Sequence, residues 1–187
     1  MSRLSGKKTI AQILSDYKQY KKQAWRSVLN YYSGLPSLKE VLEEAGLFHK
    51  APSCCDEHQR RIKKVSKITF STDLQKNAKN IANSKDFIDL YRIISKIAPK
   101  GIAELTIYDT TMRIGSFLEK GKGRGVFKPK DVYLHNGAWK GAKSLYKIGR
   151  LKNLQKRMPL SAFSKLFPGC QAWEVEEILC IYENNFS

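Results

Sequence analysis

Nowhere in this 187-residue chain do about eighteen apolar residues run together, so no segment reads as a membrane-spanning helix. The start, MSRLSGKKTIAQIL, lacks both the apolar stretch and the small-residue cleavage site of a signal peptide, which makes the cytoplasm the expected location. Cysteine is scarce. Cys54, Cys55, Cys170 and Cys180 are too few and too irregularly spaced for a secreted disulfide framework, and adjacent cysteines bond each other poorly, so reduced thiols are expected. Strand-like alternation is almost missing, and neither an internal repeat nor a heptad pattern occurs, which leaves an all-α class. Acid is short as well, with 17 Asp and Glu against 34 Lys and Arg, for a formal charge of +17. Gly121-Lys122-Gly123-Arg124-Gly125 lacks the Lys-Ser or Lys-Thr and the preceding strand of a nucleotide-phosphate loop, so no cofactor is expected.

What is present is a positive charge in one place. From Leu118 to Arg157 twelve basic residues face two acidic ones, net +10, whereas Met158 to Ser187 carries net −3. One strongly positive face is expected, with the C-terminal helix away from it. A solvated surface aiding solubility is the plain alternative, but one-signed clustering favours a nucleic-acid backbone as partner, with no membrane. The 42% hydrophobic content suffices for an ordinary core, and residues 1–187 are expected to form a single helical domain.

Helical periodicity runs through most of the chain. Ile10, Ile13, Leu14, Tyr17, Ala24, Val28 and Tyr31 mark a long N-terminal helix within 1–34, ended by Ser33-Gly34 and a proline. A second helix over Pro36 to Ala45 has Ser37 and Glu40 in capping-box spacing and Gly46 to close it. Further helices are expected over Glu57 to Lys67, from a Ser71 or Thr72 cap to Asn83, from Ser84 or Asp86 to about Ile97, and from Glu104 to about Leu118. Residues 119–131 read as a basic flexible loop and Val132 to Leu134 as a short extended piece. Asn136 caps a helix whose core face includes Ala138, Ala142 and Leu145, with Tyr146 also expected in the core. Leu160 to Phe167 and Ala172 to Glu183 complete the set.

The most informative segment is ISKIAPKGIAELTIYD, Ile94 to Asp109. An amphipathic run stops at Pro99, turns through Gly101 and restarts after Glu104. Two helices folded back across so short a turn aim the unpaired N–H groups of the second helix at an anion, and on this chain the natural anion is phosphate. Pro99, Gly101, Ile102 and Thr106 resemble the helix-hairpin-helix motif over 86–118, with Ala103 where the second glycine usually stands. The order of parts over Asp86 to Leu145 resembles the helix-hairpin-helix DNA glycosylases, and the strings HQRRI, GIAELTIYD and VYLHNG resemble a family of small helical bacterial proteins with glycosylase-like character. The resemblance implies a helical bundle, backbone contacts at Lys100, Gly101, Ala103 and Thr106, and a catalytic group where the extended piece meets the next helix. Two positions depart from the glycosylase pattern. Leu105 stands where bifunctional members carry a Schiff-base lysine, and His135-Asn136 stands where they carry an essential Asp.

Cleavage of a nucleoside passes through a cationic, oxocarbenium-like sugar that a carboxylate stabilises. Asp109, one turn after Thr106, is the first candidate; its plain alternative is an exposed ion pair with Arg113. Asp131 is the second. His135 occupies the position of the resembled family's catalytic Asp, against the plain alternative of a capping or core histidine. His58, Gln59 and Arg61 are candidates for reading an extruded base and its phosphate, and Tyr133 or Trp139 for stacking on it. Lys120, Lys122, Arg124, Lys128 and Lys140 are further candidates for backbone contact. Zinc at Cys54, Cys55 and His58 is disfavoured because neighbouring thiolates reach one tetrahedral ion poorly, so no metal is expected.

The expectation is therefore a monofunctional DNA glycosylase that hydrolyses the bond to a modified base extruded from duplex DNA, with defence against foreign DNA as one setting. The alternatives are a non-enzymatic helix-hairpin-helix DNA-binding or architectural protein, and an RNA-binding accessory factor.

Overall fold

The computed structural model describes residues 6–48, 61–123 and 125–186. Among these, helix dominates: α1 (Ile10–Asp16), a π-helical turn (Tyr17–Lys21), α2 (Lys22–Gly34), α3 (Leu38–Leu47), α4 (Lys64–Lys76), α5 (Ala78–Ala82), α6 (Phe87–Ile97), α7 (Glu104–Lys122), α8 (Asn136–Lys147) and α9 (Ala172–Ile181). Two three-residue strands, β1 (Asp131–Tyr133) and β2 (Arg157–Pro159), pair antiparallel with Tyr133 opposite Arg157. The chain is thus mainly helical, as expected. No described helix is long and apolar enough to cross a membrane. The chain divides into two compact units, Met1–Gln23 with Pro129–Ser187, and Ala24–Lys128.

In the first unit the two ends of the chain meet. The Lys8 N–H donates to the Asn185 carbonyl at 2.7 Å, and a capping box between Thr9 and Gln12 starts α1 just beyond that contact. Ile13 and Tyr17 of α1 and its π-helical extension join Val132, Leu145, Ile178 and Leu179 in one apolar core. Each such aliphatic side chain contributes about 1.5–3 kcal/mol by leaving water. The close approach of α8 and α9 depends on missing side chains. A Cβ on Gly141 would stand 2.2 Å from the Leu179 carbonyl oxygen, and one on Gly137 would stand 2.4 Å from the Cys180 sulfur. The C-terminal helix therefore packs directly on α8, against the face that carries Ala138, Ala142 and Leu145 and not against its lysines. Its carboxylates are turned to other uses: Glu174 and Glu176 are buried, and Glu174 accepts from the Gln171 N–H.

In the second unit α3 packs on α4 and α6 on α7. Ser37 starts α3 by accepting the Glu40 N–H, and Asp86 starts α6 by accepting the Asp89 N–H. Gly46 does not close α3. The helix continues to Leu47, Phe48 ends it in a left-handed conformation (φ 58), and Gly46 instead lets α4 approach, since its Cβ would lie 2.4 Å from the Ser71 Cα. Ser71 and Thr72 are likewise interior residues of α4 and cap nothing. The Ser71 hydroxyl donates to the Glu43 carbonyl, an α3 to α4 tie that removed the reason for a helix break there. The break falls at Asn77, which precedes α5. The helix expected over Glu57 to Lys67 falls partly outside the described residues, and its described part begins only at Lys64.

Three further expectations change. Tyr146, expected in the core, is 47% exposed, because α8 spends its apolar face (Ala138, Ala142, Leu145) on α9. Leu160 to Phe167 forms a single 3-10 turn, Leu160–Phe163, and not a longer helix. The segment 119–131 is largely tied down. Helix α7 runs on to Lys122, and the Glu119 carboxylate accepts the N–H groups of Gly125 and Phe127 while Phe127 is buried.

Candidate nucleic-acid interface

Between α6 and α7 the chain reverses within residues 98–103. The Ile102 N–H donates to the Pro99 carbonyl at 3.1 Å, and Gly101 sits at φ 99, a conformation that only glycine adopts without strain. Lys100, Gly101, Ala103 and Glu104 are exposed, and Ala103, at the N-cap, supplies no side-chain oxygen to the first turn of α7. Such an uncapped start offers its backbone N–H groups and the positive end of the helix dipole to an anion. Glu104, in that same turn, opposes one. Thr106 is buried, so its side chain faces the interior while its place in the turn is kept.

One turn further along α7 lies Asp109, half-buried. Desolvation raises its carboxyl to about 6, against the opposing pull of Arg113. Arg113 is not the exposed partner that spacing alone suggests. It is fully buried, and its guanidinium carbon lies 5.8, 5.5 and 5.7 Å from the rings of Trp25, Tyr32 and Phe48. Cation–π attraction of this kind strengthens when the cation is desolvated, and it offsets part of the cost of placing a guanidinium in an apolar interior. Sequence spacing marked the i,i+4 pair but carried no sign that aromatic residues of α2 and the one just after α3 would close around it.

The remaining candidates of the second unit are scattered. Lys120 and Lys122 sit at the far end of α7, about 21–24 Å along the axis from Thr106 at 1.5 Å per residue. Lys122 is occupied: its ammonium donates to the carbonyls of Ala82, at 2.6 Å, and Ser84. Lys120 lies over Phe117 at 5.2 Å. Lys128 is half-buried and Arg61 exposed. His58, Gln59 and Arg124, with Cys54 and Cys55, lie outside the described residues. An open hollow of about 490 Å³ lined by Asn77, Asn80, Asn83, Asp89, Ile93, Lys96 and Ile97 contains none of the expected site residues.

The first unit gathers the others. His135, two residues beyond the end of β1, is the N-cap of α8 without a side-chain cap bond, the role expected of Asn136. Its imidazole is buried and neutral, lowered to about 4 by desolvation and then by Lys156. Tyr133 stacks beside it with ring centroids 6.2 Å apart. The Tyr133 ring is itself covered by Arg157 at 5.3 Å, whose guanidinium is also bound to Asp131 at 2.6 Å. Trp139, half-buried, carries the Lys156 ammonium at 4.8 Å. Lys140 is exposed and 3.6 Å from Glu183. Lys156 and Arg157 were not foreseen as partners of the aromatics, because β2 was not foreseen either. The β1–β2 register is what brings them there.

Asp109 thus belongs to one unit and His135 to the other. Among the described residues no three His, Cys, Asp or Glu side chains converge as a metal site requires. No family model, curated protein or solved structure matches this chain.

Proposed function

We propose that the protein binds DNA as a helix-hairpin-helix protein and hydrolyses the glycosidic bond of a modified base without forming a covalent imine. The observation that carries this reading is the exposed 98–103 turn, with Gly101 at φ 99 and α7 starting uncapped, followed one turn later by the desolvated carboxyl of Asp109. The turn holds a phosphate, and the carboxylate one turn away stabilises the oxocarbenium-like sugar and orients water. Leu105 leaves no amine in the Schiff-base position, so water is the nucleophile. His135, lowered to about 4, does not act as a phosphate-binding cation at physiological pH.

The test is incubation with duplex DNA carrying a panel of modified bases, read as alkali-labile abasic sites. Asp109→Asn is expected to abolish them while leaving affinity nearly unchanged. No sites with any base in the panel would sink the enzymatic half.

A second reading is favoured by Arg113. Its buried guanidinium acts on the Asp109 carboxyl, so Asp109 serves equally as a structural counter-ion, and the protein is then a non-enzymatic DNA-binding or architectural protein. In that case no abasic site is ever produced with any base of the panel.

A further inference from the structure

We propose that the first unit carries a nucleic-acid contact of its own, separate from the hairpin turn, on the exposed side of α8 and the segment leading to β2. It takes over from the proposed function only the identity of the partner, a polynucleotide backbone.

The sequence supplies the first observation. From Val132 to Trp173 there is no carboxylate in 42 consecutive residues, while eight lysines and arginines fall in that stretch. The helical hairpin, by contrast, is nearly balanced. Phe87 to Lys122 carries six basic and four acidic residues, and two of the six, Arg113 and Lys122, are buried or already engaged. The electrostatic part of polynucleotide binding must come from elsewhere.

The fold supplies the second. Lys140, Lys143 and Lys147 recur at i, i+3 and i+7, so they form one stripe of α8, opposite the face given to α9. The helix then ends in a Schellman arrangement, with the Arg150 N–H on the Leu145 carbonyl, the Gly149 N–H on that of Tyr146, and Gly149 at φ 72. This reverses the chain, and buried Leu151 pins the return so that Arg150 and Lys152 stay exposed. Lys140, Lys156 and Arg157 are engaged with Glu183, Trp139 and Asp131. Among the described residues Lys143, Lys147, Arg150 and Lys152 are in no ion pair. The acids of α9 cannot neutralise them: Glu174 and Glu176 are buried, and Glu177 holds the Tyr17 hydroxyl, while Asp131 is paired with Arg157.

Four unpaired cations on two adjoining segments suit a repeating anion. Tyr146, 47% exposed between Lys143 and Lys147, adds an aromatic face of the kind that bases and sugars stack on. A lipid surface fits less well, because an interfacial helix buries a broad apolar face in the membrane and α8 has already spent its apolar face on α9. Contacts of this kind track a backbone without reading sequence.

The experiment measures affinity of the full chain for a defined duplex over a salt series. All four cations are exposed, so Lys143→Gln/Lys147→Gln/Arg150→Gln/Lys152→Gln should melt like the wild type. Its slope of log affinity against log salt should be shallower by about four, close to one per lost phosphate contact. The pair Lys143→Gln/Lys147→Gln should lose about half of that. Gly101→Val, tested in parallel, removes no charge and should lower affinity at an unchanged slope if the hairpin also binds. A shallower slope in the fourfold variant with no effect of Gly101→Val supports this surface and removes the hairpin. An unchanged slope in the fourfold variant overturns the proposal, as does loss of binding to phosphatidylserine vesicles with DNA affinity intact.

Discussion

The Tyr17 hydroxyl donates to the Glu177 carboxylate at 2.6 Å, joining the end of the first helix to the last helix across 160 residues of sequence. Tyr17 is fully buried, and burial together with the adjacent carboxylate pushes its phenol well above the usual range, so it remains a donor at every ordinary pH. Hydrogen bonds to a charged acceptor contribute about 1.5–3 kcal/mol. Tyr17→Phe should therefore lower stability by about that much in chemical denaturation, while Glu177→Gln, which keeps an acceptor, should cost less. Equal and negligible effects would mean that packing alone holds the ends together.

Two helical glycines should respond oppositely to alanine. At Gly141 the new Cβ meets the Leu179 carbonyl oxygen at 2.2 Å, a backbone atom that cannot swing aside. Gly141→Ala should cost about 1–3 kcal/mol by forcing α8 and α9 apart. At Gly121, in the last turn of α7, nothing lies within 4 Å of the added carbon. Gly121→Ala should be neutral or stabilise by up to about 1 kcal/mol through helix propensity. Thermal melts of the two variants would separate these cases, and a shared sign would refute the packing geometry.

Asp109 and His135 should give the two units opposite responses to pH. The Asp109 carboxyl is raised from 3.8 to about 6, so the folded form holds its proton more tightly than the unfolded chain does. Its contribution is present below pH 3.8 and lost as pH rises through 6. His135 is lowered from 6.5 to about 4, so its contribution is present above pH 6.5 and lost as pH falls through 4. At about 1.4 kcal/mol per pKa unit, each is worth about 3 kcal/mol over its window. Asp109→Asn should stabilise the protein at neutral pH and flatten the decline from pH 4 to 6, whereas His135→Gln should remove acid lability between pH 6.5 and 4. Denaturation midpoints across that range would show the two slopes, and parallel profiles for both variants would contradict the burial of either group.

Local chemistry accounts for what the sequence revealed. Ser37 and Asp86 cap helices where short polar side chains precede apolar periodicity, and the turn at Gly101 follows from proline and glycine spacing. What stayed hidden is non-local. Ser71 looked like a cap because nothing in the chain announces that it will lie against Gly46. β2 has only three residues, and its existence depends on β1. Arg113 reads as exposed in the sequence because the three aromatic residues that enclose it, two on α2 and one just after α3, are distant along the chain. The excess of charge over 118–157 was visible, but not which cations remain free, since that depends on where Glu183, Asp131 and the carbonyls of Ala82 and Ser84 fall.

Lys122 illustrates that difference. Its ammonium bonds the carbonyls of Ala82, the last residue of α5, and Ser84, just beyond it, and lies 5.6 Å from the Phe127 ring. A cation there satisfies carbonyls that the helix end leaves without partners. Its work is structural, whereas the exposed Lys120, two residues earlier, has only the Phe117 ring beneath it. Lys122→Gln should cost about 1 kcal/mol of stability, the scale of a hydrogen bond to a charged group less the part an amide can replace. Lys120→Gln should be neutral in the same denaturation experiment, as surface substitutions usually are. The reverse order of the two would assign Lys122 to the binding surface and leave the end of α5 to be held by something else.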